Sequence, residues 1–146
     1  MVVQMIAGFV SAAAFAYIYH VPPAQIARSG FVGGTGWSIF LVVRLRWGEI
    51  GGMFLAATAV AVISEILARK EKQPVIIFLV PGVIPLVPGG KAYLTMLSFL
   101  QNDYAEGLQL MVSTVFLAGA VAAGIIVSSS AFRIYSRTRS IRRARQ

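Results

Sequence analysis

The chain has 146 residues, 58% of them hydrophobic and only 12% charged, with a mean hydropathy of +0.77; this make-up lies outside that of water-soluble domains, so the solvent for most of the surface is lipid. It has no cysteine, one histidine and five acidic residues, which excludes thiolate metal sites, disulfides and thiol nucleophiles and leaves little for a metal cage, so no cofactor or metal is expected. The net charge of +8 does not indicate nucleic acid, because six of the thirteen basic residues fall in the last fourteen positions, directly after an apolar run and without an aromatic stacking platform.

A membrane-crossing helix needs about 20 mostly apolar residues. Five apolar segments meet or approach that length, at about 2–19, 24–43, 50–68, 74–100 and 108–132. The expected fold is therefore all-α, a polytopic membrane helix bundle of about five spans. Residues 1–136 form the membrane domain, and 137–146 form a basic cytoplasmic tail too polar to pack.

In the first segment Ala14-Phe15-Ala16 imitates a signal-peptidase site, but no Lys or Arg precedes the apolar stretch, so it reads as a retained span. It ends at Tyr17, Tyr19 and His20, which suit an interface, and Val21-Pro22-Pro23 closes it. The second segment carries Gly30, Gly33, Gly34 and Gly36 with Thr35 and Ser38. Gly30 and Gly34 form a small-xxx-small pair for close helix packing. The alternative is an unwound stretch that presents Thr35 and Ser38 to a substrate.

Arg44 to Glu49 form the next joint. The third segment contains Glu65, the acid of the apolar run, four residues or about 6 Å of helix rise before Arg69. Glu65 reads as an i,i+4 ion pair with Arg69 or as a proton-coupling carboxylate. Arg69 to Pro74 close this span.

The fourth segment is unusual: Val80-Pro81-Gly82-Val83-Ile84-Pro85-Leu86-Val87-Pro88-Gly89-Gly90-Lys91 puts three prolines and three glycines into twelve residues. Each interior proline removes a helical hydrogen bond and clashes with the preceding turn, so the span should break there. In lipid, broken backbone is tolerated where it is buried in protein or lines a polar cavity. A new half-helix beginning after Pro88 would leave the amides of Gly90, Lys91 and Ala92 free, with Lys91 beside them, to receive a substrate carboxylate. Gly89 and Gly90 read as positions where the backbone needs glycine. The competing reading is a kinked packing helix in which Lys91 snorkels or pairs with Asp103 or Glu106. Pro85, Pro88, Gly89, Gly90, Lys91, Tyr93 and Thr95, with Thr35 and Ser38, are the candidate substrate-binding residues. Gln101 to Glu106 form the last joint, and Ser113, Thr114 and Ser128 to Ser130 of the fifth segment are expected to bond their own helix backbone.

Cytoplasmic loops carry the excess of Lys and Arg. With the N-terminus outside and the C-terminus cytoplasmic, the inside collects Arg28, Arg69, Lys70, Lys72 and the six tail arginines, whereas the outside collects Arg44 and Arg46. Trp47 and Tyr104 then fall at the outer interface.

The run Val83-Ile84-Pro85-Leu86-Val87-Pro88-Gly89, followed by Ala92-Tyr93 and Met96, resembles the signature of the threonine/serine exporter-like family, and Val21-Pro22 before a glycine-rich second span adds to the likeness. Within that family the chain looks like the small five-span subunit, similar to the C-terminal half of the fused exporter. The resemblance implies a secondary exporter of threonine and serine, or of dicarboxylates such as succinate, driven by proton-motive force in the bacterial inner membrane. It also implies a larger five-span partner, the counterpart of the N-terminal half. Beyond that partner, substrate and membrane lipid, self-association is open through the small-residue faces at Gly30/Gly34 and Gly119 to Gly124. A non-transporting scaffold or regulatory subunit is the rival class. An enzyme is not expected, because no Ser/His pair, paired intramembrane carboxylates or His-based metal motif is present.

Overall fold

The computed structural model describes residues 2–143, with side chains through Phe132 and at Ile134, and is all-α. Five helices follow one another: α1 (Val2–Ile18), α2 (Pro23–Glu71), α3 (Ile76–Val83), α4 (Gly89–Leu100) and α5 (Tyr104–Arg143).

The long α2 is two antiparallel arms. Pro23 occupies its first turn, where the missing N–H costs nothing. Helical geometry fails inside it only at Gly48, with φ 72° and ψ 179°. That region is accessible essentially to glycine alone, so a single residue turns the chain. The reversal is visible in the pairing of the arms: Arg28 meets Glu71, Gly36 lies against Val60, and Gly52 lies against Phe40 and Arg44. The joint expected over Arg44 to Glu49 is therefore confined to one position, and the residues around it stay helical.

α1 buries Gly8, Ala12 and Ala16, one small residue per turn, against the first arm. Gly8 abuts Trp37, Ala12 abuts Gly33, and a Cβ at Gly30 or Gly34 would lie 2.9 or 3.2 Å from the Phe9 ring and Cβ respectively. The glycines of this segment thus serve close packing within the chain. They do not unwind it, and Gly30/Gly34 is not left as an uncovered face.

α3 inserts against both arms. Phe78 and Leu86 are fully buried, Gly82 faces Val32 and Val60, and Ser29 Oγ donates to the Ile77 carbonyl at 3.1 Å. A 3₁₀ turn, Ile84–Leu86, and extended Val87 (φ −66°, ψ 127°) separate α3 from α4, and the helical stretches on either side are bent by 47°. Pro85 and Pro88, which lack an N–H, bracket Leu86 and Val87, and Pro88 (φ −75°, ψ 48°) is itself outside helical geometry.

α4 packs along α5, where the Phe99 ring covers Gly107. Asp103 caps α5 by accepting from the Glu106 amide at 3.1 Å. α5 then follows the second arm of α2: Gly124 sits against the Phe54 carbonyl and Thr58, and the Arg69 guanidinium lies 5.1 Å over the Phe132 ring. The helix continues to Arg143, beyond the start of the expected unpacked tail at 137; residues 144–146 lie outside the described residues.

The core of Val32, Phe40, Val60, Phe78, Leu86 and Leu117 is enclosed by a surface rich in exposed large apolar residues, among them Phe31, Leu45, Ile76, Phe116 and Ile126. Such an exterior belongs in lipid. By length and composition, Pro23–Glu71 and Tyr104–Phe132 are long and apolar enough to cross a membrane, and the bent α3–α4 pair makes a third candidate; α1 is apolar but shorter.

Candidate functional site at the α2 turn and the α3–α4 break

Arg44 and Glu49, on either side of the Gly48 turn, and the interruption before α4 border an open cavity of about 230 Å³. Pro85, Val87, Pro88, Gly90 and Lys91 line one side, Trp37, Phe40, Arg44, Glu49 and Met53 line the α2 side, and Leu117 of α5 completes it. The α3–α4 break and the residues on either side of Gly48 thus border an opening with largely apolar walls that carry three charged side chains.

Three charges meet there. Lys91 Nζ donates to Glu49 Oε2, forming an ion pair across 42 residues, and also to Ser113 Oγ at 3.1 Å. The side chains of Lys91 and Glu49 are 32% and 51% exposed, so the pair is open to an entering solute. The Arg44 guanidinium lies 5.5 Å over the Phe40 ring, which orients it, and makes no ion pair among the described residues. The arrangement offers two cations and one carboxylate, with hydrogen-bonding capacity left over on each.

Of the residues singled out in the sequence, Pro85, Pro88, Gly90 and Lys91 line this cavity. Gly89 does not line it, and a Cβ at Gly89 or Gly90 would meet nothing within 4 Å. Neither glycine has positive φ, so the expectation that the backbone needs glycine at 89 and 90 is corrected: both sit in the first turn of α4, where most residues fit. The three expected free amides are also fewer, because the Ala92 N–H donates to the Pro88 carbonyl at 3.1 Å.

Tyr93 is 66% exposed and outside the cavity, and Thr95 Oγ1 donates to the Lys91 carbonyl at 2.8 Å. Thr35 and Ser38 bond the carbonyls of Phe31 and Gly34 at 2.8 and 2.6 Å and line a separate apolar cavity with Met5, Ile6 and Phe9. The first arm of α2 is helical there, so these hydroxyls are not brought to the break. Glu65 lies near the far end of the second arm, 3.7 Å from Arg69. Asp103 caps α5, and Lys91 finds its carboxylate in Glu49 instead.

Glu49, Arg44 and Ser113 are the residues that sequence reasoning left out of the site. Arg44 and Glu49 looked like loop charges, and Ser113 looked like a hydroxyl that bonds its own helix, as Thr114 does to the Leu110 carbonyl at 2.8 Å. The available signal was the glycine directly before Glu49.

The described Threonine/Serine exporter, ThrE family matches residues 4–131. The chain is 27% identical over 124 residues to a threonine/serine exporter of Corynebacterium glutamicum, covering 85% of this chain and 25% of that protein. It is 22% identical over 138 residues to an uncharacterized protein of Haemophilus influenzae, covering 88% of this chain and 46% of that one. The chain thus spans between a quarter and a half of the length of these relatives. No solved structure matches it. With the family signature extending over nearly all of its helices, this membrane protein belongs to the threonine/serine exporter family.

Proposed function

We propose that the chain is a subunit of a secondary exporter for small amino or carboxylic acids of the threonine/serine type, with the cavity bordered by Arg44, Glu49 and Lys91 as its substrate site. The observation that carries this reading is the meeting of Arg44, Glu49 and Lys91 at a cavity bordered by interrupted backbone, in a chain of an exporter family. Discontinuous helices at a polar cavity are a recurring transporter device. An intramembrane charge is costly unless it is paired or hydrated, and the Glu49–Lys91 pair meets that requirement when no substrate is present.

In the membrane arrangement that goes with this reading, five elements cross or enter the bilayer: α1, the two arms of α2, the bent α3–α4 pair, and α5. The N-terminus is outside, and the basic end of the chain is in the bacterial cytoplasm, as the distribution of Lys and Arg favours. A larger family subunit completes the transporter, a role supported by the fraction of the relatives' length that the chain spans. Proton-motive force drives export; Glu65, near the far end of the second arm and paired with Arg69, is the candidate for carrying the proton.

The test is efflux of labelled threonine, serine and a dicarboxylate from vesicles containing the chain with and without the membrane protein encoded beside it. Counterflow of one of these solutes that requires the chain supports the exporter; retention of all of them with both proteins present refutes it.

A further inference from the structure

We infer that Glu49 selects amino acids over dicarboxylates at this site. The inference rests on the exporter reading and assigns the site a residue that decides which carboxylates it accepts.

Arg44 and Lys91 are cations, and the site would suit a doubly anionic solute if they were alone. Glu49 changes that balance. Its Oε2 accepts from Lys91, and among the described residues no hydrogen bond engages its Oε1, which can accept from an ammonium. Lys91 keeps one of its three N–H donors beyond those directed at Glu49 and Ser113, and Arg44 has no carboxylate partner among the described residues.

A zwitterion therefore finds each formal charge matched, with its carboxylate between Arg44 and Lys91 and its ammonium on Glu49. A dicarboxylate that places one carboxylate on the cations brings the other toward Glu49, where like charges repel. Discrimination of this kind comes from an unfavourable contact with the wrong solute as much as from attraction to the right one. The backbone fixes the position of Glu49, because it follows Gly48, whose left-handed geometry starts the second arm.

The experiment measures transport of labelled threonine and labelled succinate by the transporter as it exists in the membrane, comparing the parent with Glu49→Gln and Glu49→Asp. The deaminated 2-hydroxy analogue of threonine is added as a competitor. In the parent, the analogue should compete at least tenfold more weakly than threonine. In Glu49→Gln that gap should close, and the threonine-to-succinate ratio of kcat/KM should fall at least tenfold; Glu49→Asp should keep most of the parental preference.

Equal loss of both solutes in Glu49→Gln would make Glu49 a structural partner of Lys91 and overturn the inference while leaving the exporter reading intact. An analogue that competes as well as threonine in the parent would overturn it without any variant, so the test survives a variant that fails to fold. A parent that moves neither solute overturns the exporter reading and this inference together.

Discussion

Arg28 donates to Glu71 at 2.7 Å and to Gln25 at 2.8 Å, tying the first turns of α2 to its last residue across 43 positions. The Arg28 side chain is 43% exposed and that of Glu71 is 18% exposed, so screening limits what the bridge contributes. Arg28→Ala and Glu71→Ala should each lower unfolding stability in detergent by about 0.5–1 kcal/mol. In a double-mutant cycle the paired variant should lose less than the sum of the two single losses.

Lys91→Met should raise the apparent Michaelis constant for a carboxylate substrate by roughly tenfold, the size of one lost charge-assisted hydrogen bond of ~1.5–3 kcal/mol. Membrane insertion should be retained, because Glu49 is half exposed and can hydrate once its partner is gone. Efflux kinetics alongside immunoblots of the membrane fraction separate these two effects. Parental kinetics in Lys91→Met would remove Lys91 from the site.

Gly82 and Gly119 should respond in opposite directions. A Cβ at Gly82 would lie 2.7 Å from Val32 Cγ1 and 3.2 Å from Val60 Cγ1, inside the packed core, so Gly82→Ala should cost about 1–3 kcal/mol. A Cβ at Gly119 meets nothing within 4 Å on an exposed helical face, and Gly119→Ala should stabilise by about 0.5–1 kcal/mol through helix propensity. Thermal melting of both variants in one detergent checks the sign of each. If Gly119→Ala is destabilising instead, another copy or a partner already occupies that face.

Gly48→Ala should cost about 1–3 kcal/mol, because φ 72° with ψ 179° is a conformation that side chains rarely adopt. The variant should also lose transport beyond what its residual folded fraction explains, since displacing the turn carries Glu49 away from Lys91. Cross-linking of cysteines at positions 49 and 91 with a bifunctional thiol reagent about as long as the Glu–Lys pair, efficient in the parental background and poor with Gly48→Ala, reads the displacement.

The all-α character and the family were legible in the sequence because both are local. Apolar runs report helices, and Pro85-Leu86-Val87-Pro88-Gly89 is a contiguous string. The Glu65–Arg69 contact was legible for the same reason, since i,i+4 spacing places both side chains on one helix face. The partner of Lys91 was not. Glu49 is 42 residues away, and pairing the two requires knowing that α2 reverses within a single residue and that the α3–α4 break returns to that point. The glycines were misassigned by a similar route. Gly89 and Gly90 follow Pro88 and read as turn-formers, yet they lie in helix with open space around them; Gly82, which also follows a proline, and Gly36 are instead held by contacts with Val32 and Val60 from other segments, which local sequence does not reveal.

The one-residue turn at Gly48 also bears on how the chain enters the bilayer. The first arm, with its glycines, Thr35 and Ser38, is the less apolar of the two and would gain little by partitioning alone, whereas the second arm carries the apolar run from Met53 to Ile63. Joined without a loop and contacting each other in matched order from Phe40 with Gly52 to Arg28 with Glu71, the arms have almost no loop-closure entropy to overcome at the apex. In the proposed five-element arrangement they would zip from Gly48 as they enter lipid, the second arm drawing the first in so that the pair inserts as one hairpin.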